Sequence, residues 1–466
     1  MAHLEKRGAS PGVATLHEQR AGRLVIDSKQ AEVEFGEDVA SGLKLSADGT
    51  KVLWPQPTDS PLDPQTWIPR RKALQLFIIT LASVVPAFDS GIGVTAIFSL
   101  ADQYDTSTDI INDLTTSFET GWGGVLVVVP IRRWGRLPIL FWSQVLAMLL
   151  LVGATLAPNL KTFAVAPQTI GLYIVTDMYP FHLQAQKLNI WTCGYILSPF
   201  LSPFVFGFLV ARTTWRWAYG AGAIYGGLVC VLVLFFGEET MYDRGLKPVS
   251  PAKHRDSWYN TIMSPIRLAW RPQLLGLLFF EITNAIFLGS PLLLDSAFCH
   301  LALQECMALR SWIATFVGEV IVRYTNDWLI NVSVRRNSGV FQPEGRLWAC
   351  YISVPLYICG FVVLGAALQK HLGVGALVMG WGIAQCATVA VLAYGSDSFP
   401  KHHGEVSAFF NFARVIGGFS VAYFQVPWAL KHGALQVFGV EAAIVCGLFL
   451  LVIPLLQLKG GMLRVG

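Results

Sequence analysis

Thr176-Asp177-Met178-Tyr179-Pro180 closes one apolar run, and Ser396-Asp397-Ser398-Phe399-Pro400 closes another far downstream. A short polar connection follows each, and then a fresh apolar run: Ile190 to Gly207 in the first case, Gly404 to Trp428 in the second. An Asp-x-aromatic-Pro at the same place in two distant apolar runs suggests a chain built from two similar halves. Within the first of those fresh runs, Gly194, Ser198 and Ser202 recur at helical spacing, so one face is small enough for another helix to approach closely. Pro199 and Pro203 in the same run can bend it and free carbonyls.

Outward from these runs the same composition continues. The chain has 466 residues, of which 53% are hydrophobic and 14% charged, with a mean hydropathy of +0.51. A soluble domain carries about 25% charged residues. Crossing a bilayer takes about 20 apolar residues per helix, and the sequence offers roughly a dozen runs near that length. It reads as an all-α polytopic membrane protein. The net charge of +4 does not point to nucleic acid, because the basic residues stand beside helix ends rather than along one face. Most of the eight cysteines lie inside apolar runs, as small hydrophobes do; Cys299 and Cys306 share a loop and could pair on an oxidising side.

Residues 1–70 are polar and without sustained periodicity, which predicts a disordered N-terminal tail; residues 1–20 lack the apolar core of a signal peptide. Arg70-Arg71-Lys72 precedes the first span, expected at Ala73–Leu100, and an acidic loop with Asp102, Asp105, Asp109 and Asp113 follows it. After the second span stands Arg132-Arg133-Trp134-Gly135-Arg136. The positive-inside rule therefore places the tail in the cytosol and the acidic loop outside. Counting spans onward gives a first bundle at 71–237, a basic cytosolic loop at 238–272, a second bundle at 273–458 and a cytosolic tail at 459–466. Both termini come out cytosolic.

Three stretches carry a family resemblance. Gly135-Arg136-Leu137-Pro138 resembles the signature loop between the second and third helices of the major facilitator superfamily. The run from Phe236 through Glu238-Glu239-Thr240-Met241-Tyr242-Asp243-Arg244 resembles the one closing the first half in its twelve-span fungal drug:proton antiporter branch. Asn411-Phe412-Ala413-Arg414, Gly417-Gly418-Phe419, Tyr423-Phe424-Gln425 and Trp428 resemble that branch's eleventh helix. The resemblance implies the major facilitator fold: two six-helix bundles, about twelve transmembrane helices, and here a short fourth helix. The branch's arginine is missing between Thr162 and Asp177, where the apolar part is only about 15 residues against the roughly 20 needed.

By the same resemblance the protein is a secondary transporter exporting small organic compounds, drugs or secondary metabolites, by proton antiport. An inward permease of the same fold and a non-transporting paralogue are the alternatives. An enzyme is not expected, since no nucleophile, base and metal set clusters, and no cofactor is implied. The partners would be a small-molecule substrate, protons and the lipid bilayer, with a monomer in the plasma membrane.

Charged groups inside spans cost about 2.5–3.5 kcal/mol each on insertion scales, so they should face a cavity or a partner. Asp89, mid-span, is the leading proton-coupling candidate, with Glu119 and Asp177. Asp177 and Asp397 also stand where helix ends suit capping or arginine pairing. Tyr173, Trp191, Tyr195, Asn284, Phe410 and Arg414 are candidates for the substrate cavity, aromatic faces suiting large apolar solutes. Arg133, Gly135 and Arg136 would form a cytosolic latch, with Ser198, Pro199, Pro203, Asp327 and Asp397 as further gate and motif positions.

Overall fold

A computed structural model of the chain describes residues 24–25, 27–46, 48–54, 56–106, 129–131, 133–157, 178–179, 187, 191, 194, 198, 201–202, 205–210, 212–240, 258–284, 324–325, 328–337, 340–370, 372, 375–376, 379–380, 389–399 and 402–465. Long helices dominate it. Helix α3 follows two short helices of the N-terminal segment and runs from Pro69 to Tyr104. Proline in the first turn starts it, where a missing N–H is harmless. Asp105 ends it in the left-handed region at φ 46°, with its own N–H and that of Thr106 returning to the Ala101 carbonyl. Its 36 residues span about 54 Å, more than the hydrocarbon core needs.

Helices α4 (Leu137–Thr155) and α5 (Trp215–Phe236) belong to the first half, joined by α6 (Trp258–Ala269) to the second. Residues 272–284 are helical, and α7 (Trp348–Gln369), α8 (Val389–Ser398), α9 (His403–His432) and α10 (Ala434–Val465) complete the described second half. Four described helices are long and apolar enough to cross a membrane. The span expected at Ala73–Leu100 falls within α3, which extends about a turn further at each end, and the loop expected at 238–272 contains α6.

Packing explains the small residues. Ala218, Gly222, Gly226 and Cys230 form a buried stripe on α5, and α4 lies against it, Met148 standing where a Cβ on Gly226 would make ordinary contact. The opposite faces are greasy and bare: Trp142, Leu146 and Leu149 on α4, Ile224, Leu228 and Phe235 on α5, Leu451, Leu455 and Leu458 on α10. Such a belt would be an aggregation surface in water and is the natural surface in lipid.

One expectation is corrected. The tail expected to be disordered over 1–70 has defined structure from Leu24 onward: β1 (Leu24–Val25), α1 (Ser28–Phe35), α2 (Glu37–Ala40) and a 3-10 turn at Pro64–Thr66. Its scattered apolar residues, too sparse for a periodic signal, gather into a core of Val25, Ala31, Val52 and Trp54 completed by Val340 of β2 (Val340–Phe341).

Candidate functional site

Helix starts are anion-seeking, because their first N–H groups lack partners within the helix. At the start of α4 the chain turns through Gly135 at φ 100°, a conformation glycine adopts at little cost. That turn aims the N–H groups of Arg136 and Leu137 at the Glu239 carboxylate, 3.0–3.1 Å away. A Cβ on Gly135 would come within 2.6 Å of Glu239 Oε2. Beside it the Arg71 guanidinium grips Glu238, with Nε 2.7 Å from Oε1. The Gln75 amide donates to the Phe236 carbonyl at 2.6 Å and accepts from the Glu238 N–H at 3.3 Å. The carboxylates at the end of α5 thus fasten the starts of α3 and α4. Sequence reading missed Glu239 as the anion of this turn; the Glu238-Glu239 pair in the run closing the first half was its signal.

A second-half version stands at the corresponding face. Gly345-Arg346-Leu347 repeats Gly135-Arg136-Leu137, a copy the sequence reading also passed over. Here the side chain does the holding: Arg346 Nε donates to Asp397 Oδ2, the two side chains only 4% and 8% exposed. The guanidinium also lies 5.7 Å from the Phe341 ring centroid. The Gln273 amide donates to the Gly460 carbonyl at 2.6 Å, as Gln75 does to Phe236.

Deeper inside the second half, Glu281 and Asn284 sit one turn apart on the 272–284 helix, each 1% exposed. Arg414, about 16 Å along α9 from its start, donates through Nε to Glu281 Oε1 at 2.5 Å. Among the described residues, Glu281 Oε2 and both amide atoms of Asn284 have no hydrogen-bond partner. Further toward the opposite face, Gln425 of α9 donates to Glu441 of α10 at 2.6 Å, both fully buried. The pair at Glu281 offers what solute or proton binding requires: one carboxylate oxygen tied to a cation, the other open, and a vacant amide beside it. Local spacing carried no hint of this pairing across 133 residues.

The other predicted site residues scatter. Asp89 lies in the middle of α3, its side chain outside the described residues, as are Glu119, Tyr173, Asp177, Tyr195, Pro199, Pro203 and Asp327. So are Cys299, Cys306 and the fourth-helix stretch 162–177. Gly194 presses on α3, where a Cβ would meet Thr80 Cγ2 at 2.6 Å; Ser202 donates to the Phe88 carbonyl, and Ser198 between them is buried. Two cavity candidates belong to packed cores: Trp191 to that of the first half, with Ile78, Ile79 and Val229, and Phe410 to that of the second, with Val391 and Tyr394. Bulky aromatics in a close-packed helix interface fill space before they recognise anything. Arg133 is half-buried at the start of the latch turn.

Apolar helices with an exposed apolar belt, repeated fastenings in two halves and an ion pair held within the helices are the features of a polytopic membrane protein. Residues 78–422 match the Major Facilitator Superfamily, and the chain belongs to that family, one of transporters and not of enzymes. It is similar to the MFS-type transporter hepF of Aspergillus oryzae, 24% identical over 414 residues that cover 79% of this chain and 84% of that one. The efflux pump radE of Floropilus chiversii is 22% identical over 423 residues, 81% of this chain and 78% of that one. In fold it is similar to the human organic anion transporter MFSD10, with a TM-score of 0.61 at 13% identity over 84% of this chain and 100% of that one. The proton:xylose symporter XylE gives 0.58 at 13% identity over 84% and 96%. Those two likenesses establish the major facilitator fold.

Proposed function

We propose that the protein exports small organic compounds by proton antiport, its bundles at 71–237 and 273–458 rocking between inward- and outward-open states about a central cavity. The names of its relatives, an efflux pump among them, support export. The observation that carries the coupling is the buried Glu281–Arg414 pair with its open oxygen and the vacant Asn284 amide beside it. Ionised, Glu281 keeps one oxygen on Arg414 and offers the other to an N–H or O–H of the solute. Protonated, it loses that acceptor and loosens Arg414. Solute and proton then compete for one carboxylate, which is the requirement for exchange. Asp89, mid-helix in α3, remains the first-half proton candidate, followed by Glu119 and Asp177.

The basic face of Arg71, Arg133, Arg136 and Arg346 is read as cytosolic, with both termini on that side and the monomer in the plasma membrane. In proteoliposomes with an imposed pH gradient, we expect Glu281→Gln, which stands in for the protonated form, to abolish gradient-driven accumulation of a fluorescent drug and to weaken counterflow exchange. Accumulation equal to wild type in that variant would remove Glu281 from the coupling.

A further inference from the structure

Strand β1 of the N-terminal segment pairs antiparallel with β2, Leu24 opposite Phe341 and Val25 opposite Val340. The partners come from opposite halves: β1 leads through the segment into α3, whereas β2 belongs to the loop before α7. The contact is a packed one. Trp54 Nε1 donates to the Val25 carbonyl at 2.7 Å, and Val25, Val52, Trp54 and Val340 are all nearly fully buried.

A tether matters mechanically only if it lacks slack, and about twelve extended residues could reach roughly 40 Å. The connection from Trp54 to α3 is not extended. Gln56 accepts from the Lys44 N–H at 2.8 Å and donates to the Leu53 carbonyl at 2.7 Å. The buried Asp63 carboxylate accepts from the Thr58 N–H at 2.9 Å and the Gln65 N–H at 3.0 Å. Lys72, already in α3, donates to the Gln65 carbonyl at 2.7 Å, and Trp67 is set in the first-half core beneath the Arg71 guanidinium. Fastenings therefore follow one another from β1 to the base of α3. At the far end, Phe341 lies under Arg346, whose side chain holds Asp397.

We propose that residues 24–67 form a folded strut joining the basic-face ends of the two halves, which must release β2 before that face opens. The strut is strong along its length and weak at its tip. Only two residues pair on each side, so the joint is small enough to break and remake within a transport cycle. Its occupancy favours the arrangement in which the basic-face ends are close, and its release takes the Phe341 support away from Arg346. This inference rests on the alternating-access reading above.

The test reads geometry rather than flux. Ketone-bearing amino acids at the exposed positions Trp134 and Arg336, one on each half, would carry nitroxides in the full-length protein in nanodiscs, with distances measured by double electron–electron resonance. Trp54→Ala removes the core's largest side chain from the strut side, and Val340→Asp puts a carboxylate into the same core from the β2 side. Each is expected to shift the close-to-apart ratio about tenfold toward apart, with the exposed Val33→Ala unchanged. Distance distributions identical in wild type and both variants would overturn the strut. Distances that shift in a protein showing no flux would leave the strut standing and sink the exporter reading; flux with unmoved distances does the reverse.

Discussion

The two halves solve the same mechanical problem with different chemistry. Each ties the start of its first described helix to the end of its last through a glutamine: Gln75 to Phe236, and Gln273 to Gly460, both at 2.6 Å. Each also has a Gly-Arg-Leu turn. In the first half main-chain N–H groups bind the exposed carboxylate of Glu239, whereas in the second the arginine side chain is buried against Asp397. A solvated main-chain cap breaks at little cost and reforms with no side chain to reposition. A buried ion pair tolerates no half measures, since either partner left alone is an uncompensated charge. The first half therefore has the forgiving fastening and the second the unforgiving one.

The comparison breaks most sharply at Arg346. Arg346→Met should destabilise the protein by about 3–5 kcal/mol, because the buried Asp397 carboxylate loses the cation it faces. Glu239→Ala should cost about 1 kcal/mol, the worth of a helix cap. Thermal unfolding in detergent followed by tryptophan fluorescence would rank them, and equal losses would erase the distinction between the halves. A smaller contrast separates the glycines. Gly135→Ala must carry a side chain at φ 100° against Glu239 and should lose about 1–3 kcal/mol. Gly345→Ala meets the Ser333 hydroxyl and, at 3.1 Å, its Cβ, but needs no positive φ, and should lose less in the same assay. The smallest effect belongs to Arg71→Met, whose partner Glu238 is half-exposed. A loss of about 0.2–1 kcal/mol is expected, shrinking further in high salt.

Much of this architecture was legible in the residues. The Asp-x-aromatic-Pro copies and the apolar runs announced two similar halves, because lipid forces every span to be written locally, in some twenty consecutive residues. The Arg-pairing reading of Asp397 came from its place at a helix end. What was not legible was long-range. Arg346 meets Asp397 across 51 residues and Arg414 meets Glu281 across 133, and no periodicity encodes such meetings. The N-terminal segment misled for a related reason. Val25, Val52 and Trp54 are too few to build a core alone, and the side chain that completes it, Val340, lies in the other half. Trp191 and Phe410 belong to packed cores, which aromatic composition alone does not reveal.

Two of the buried carboxylates of the second half, Glu441 and Glu281, differ in when each can be satisfied during synthesis. Gln425 and Glu441 are 16 residues apart on α9 and α10, and only Gly433 separates the two helices. They can enter the membrane as a hairpin that already contains its own hydrogen bond. Glu281 reaches the bilayer 133 residues before its cation exists, which at ribosomal speed is roughly 7–27 seconds. An unpaired carboxylate there costs about 2.5–3.5 kcal/mol, a cost that stands until α9 brings Arg414. The group proposed for proton exchange thus spends much of the second half's synthesis without the cation it ends beside.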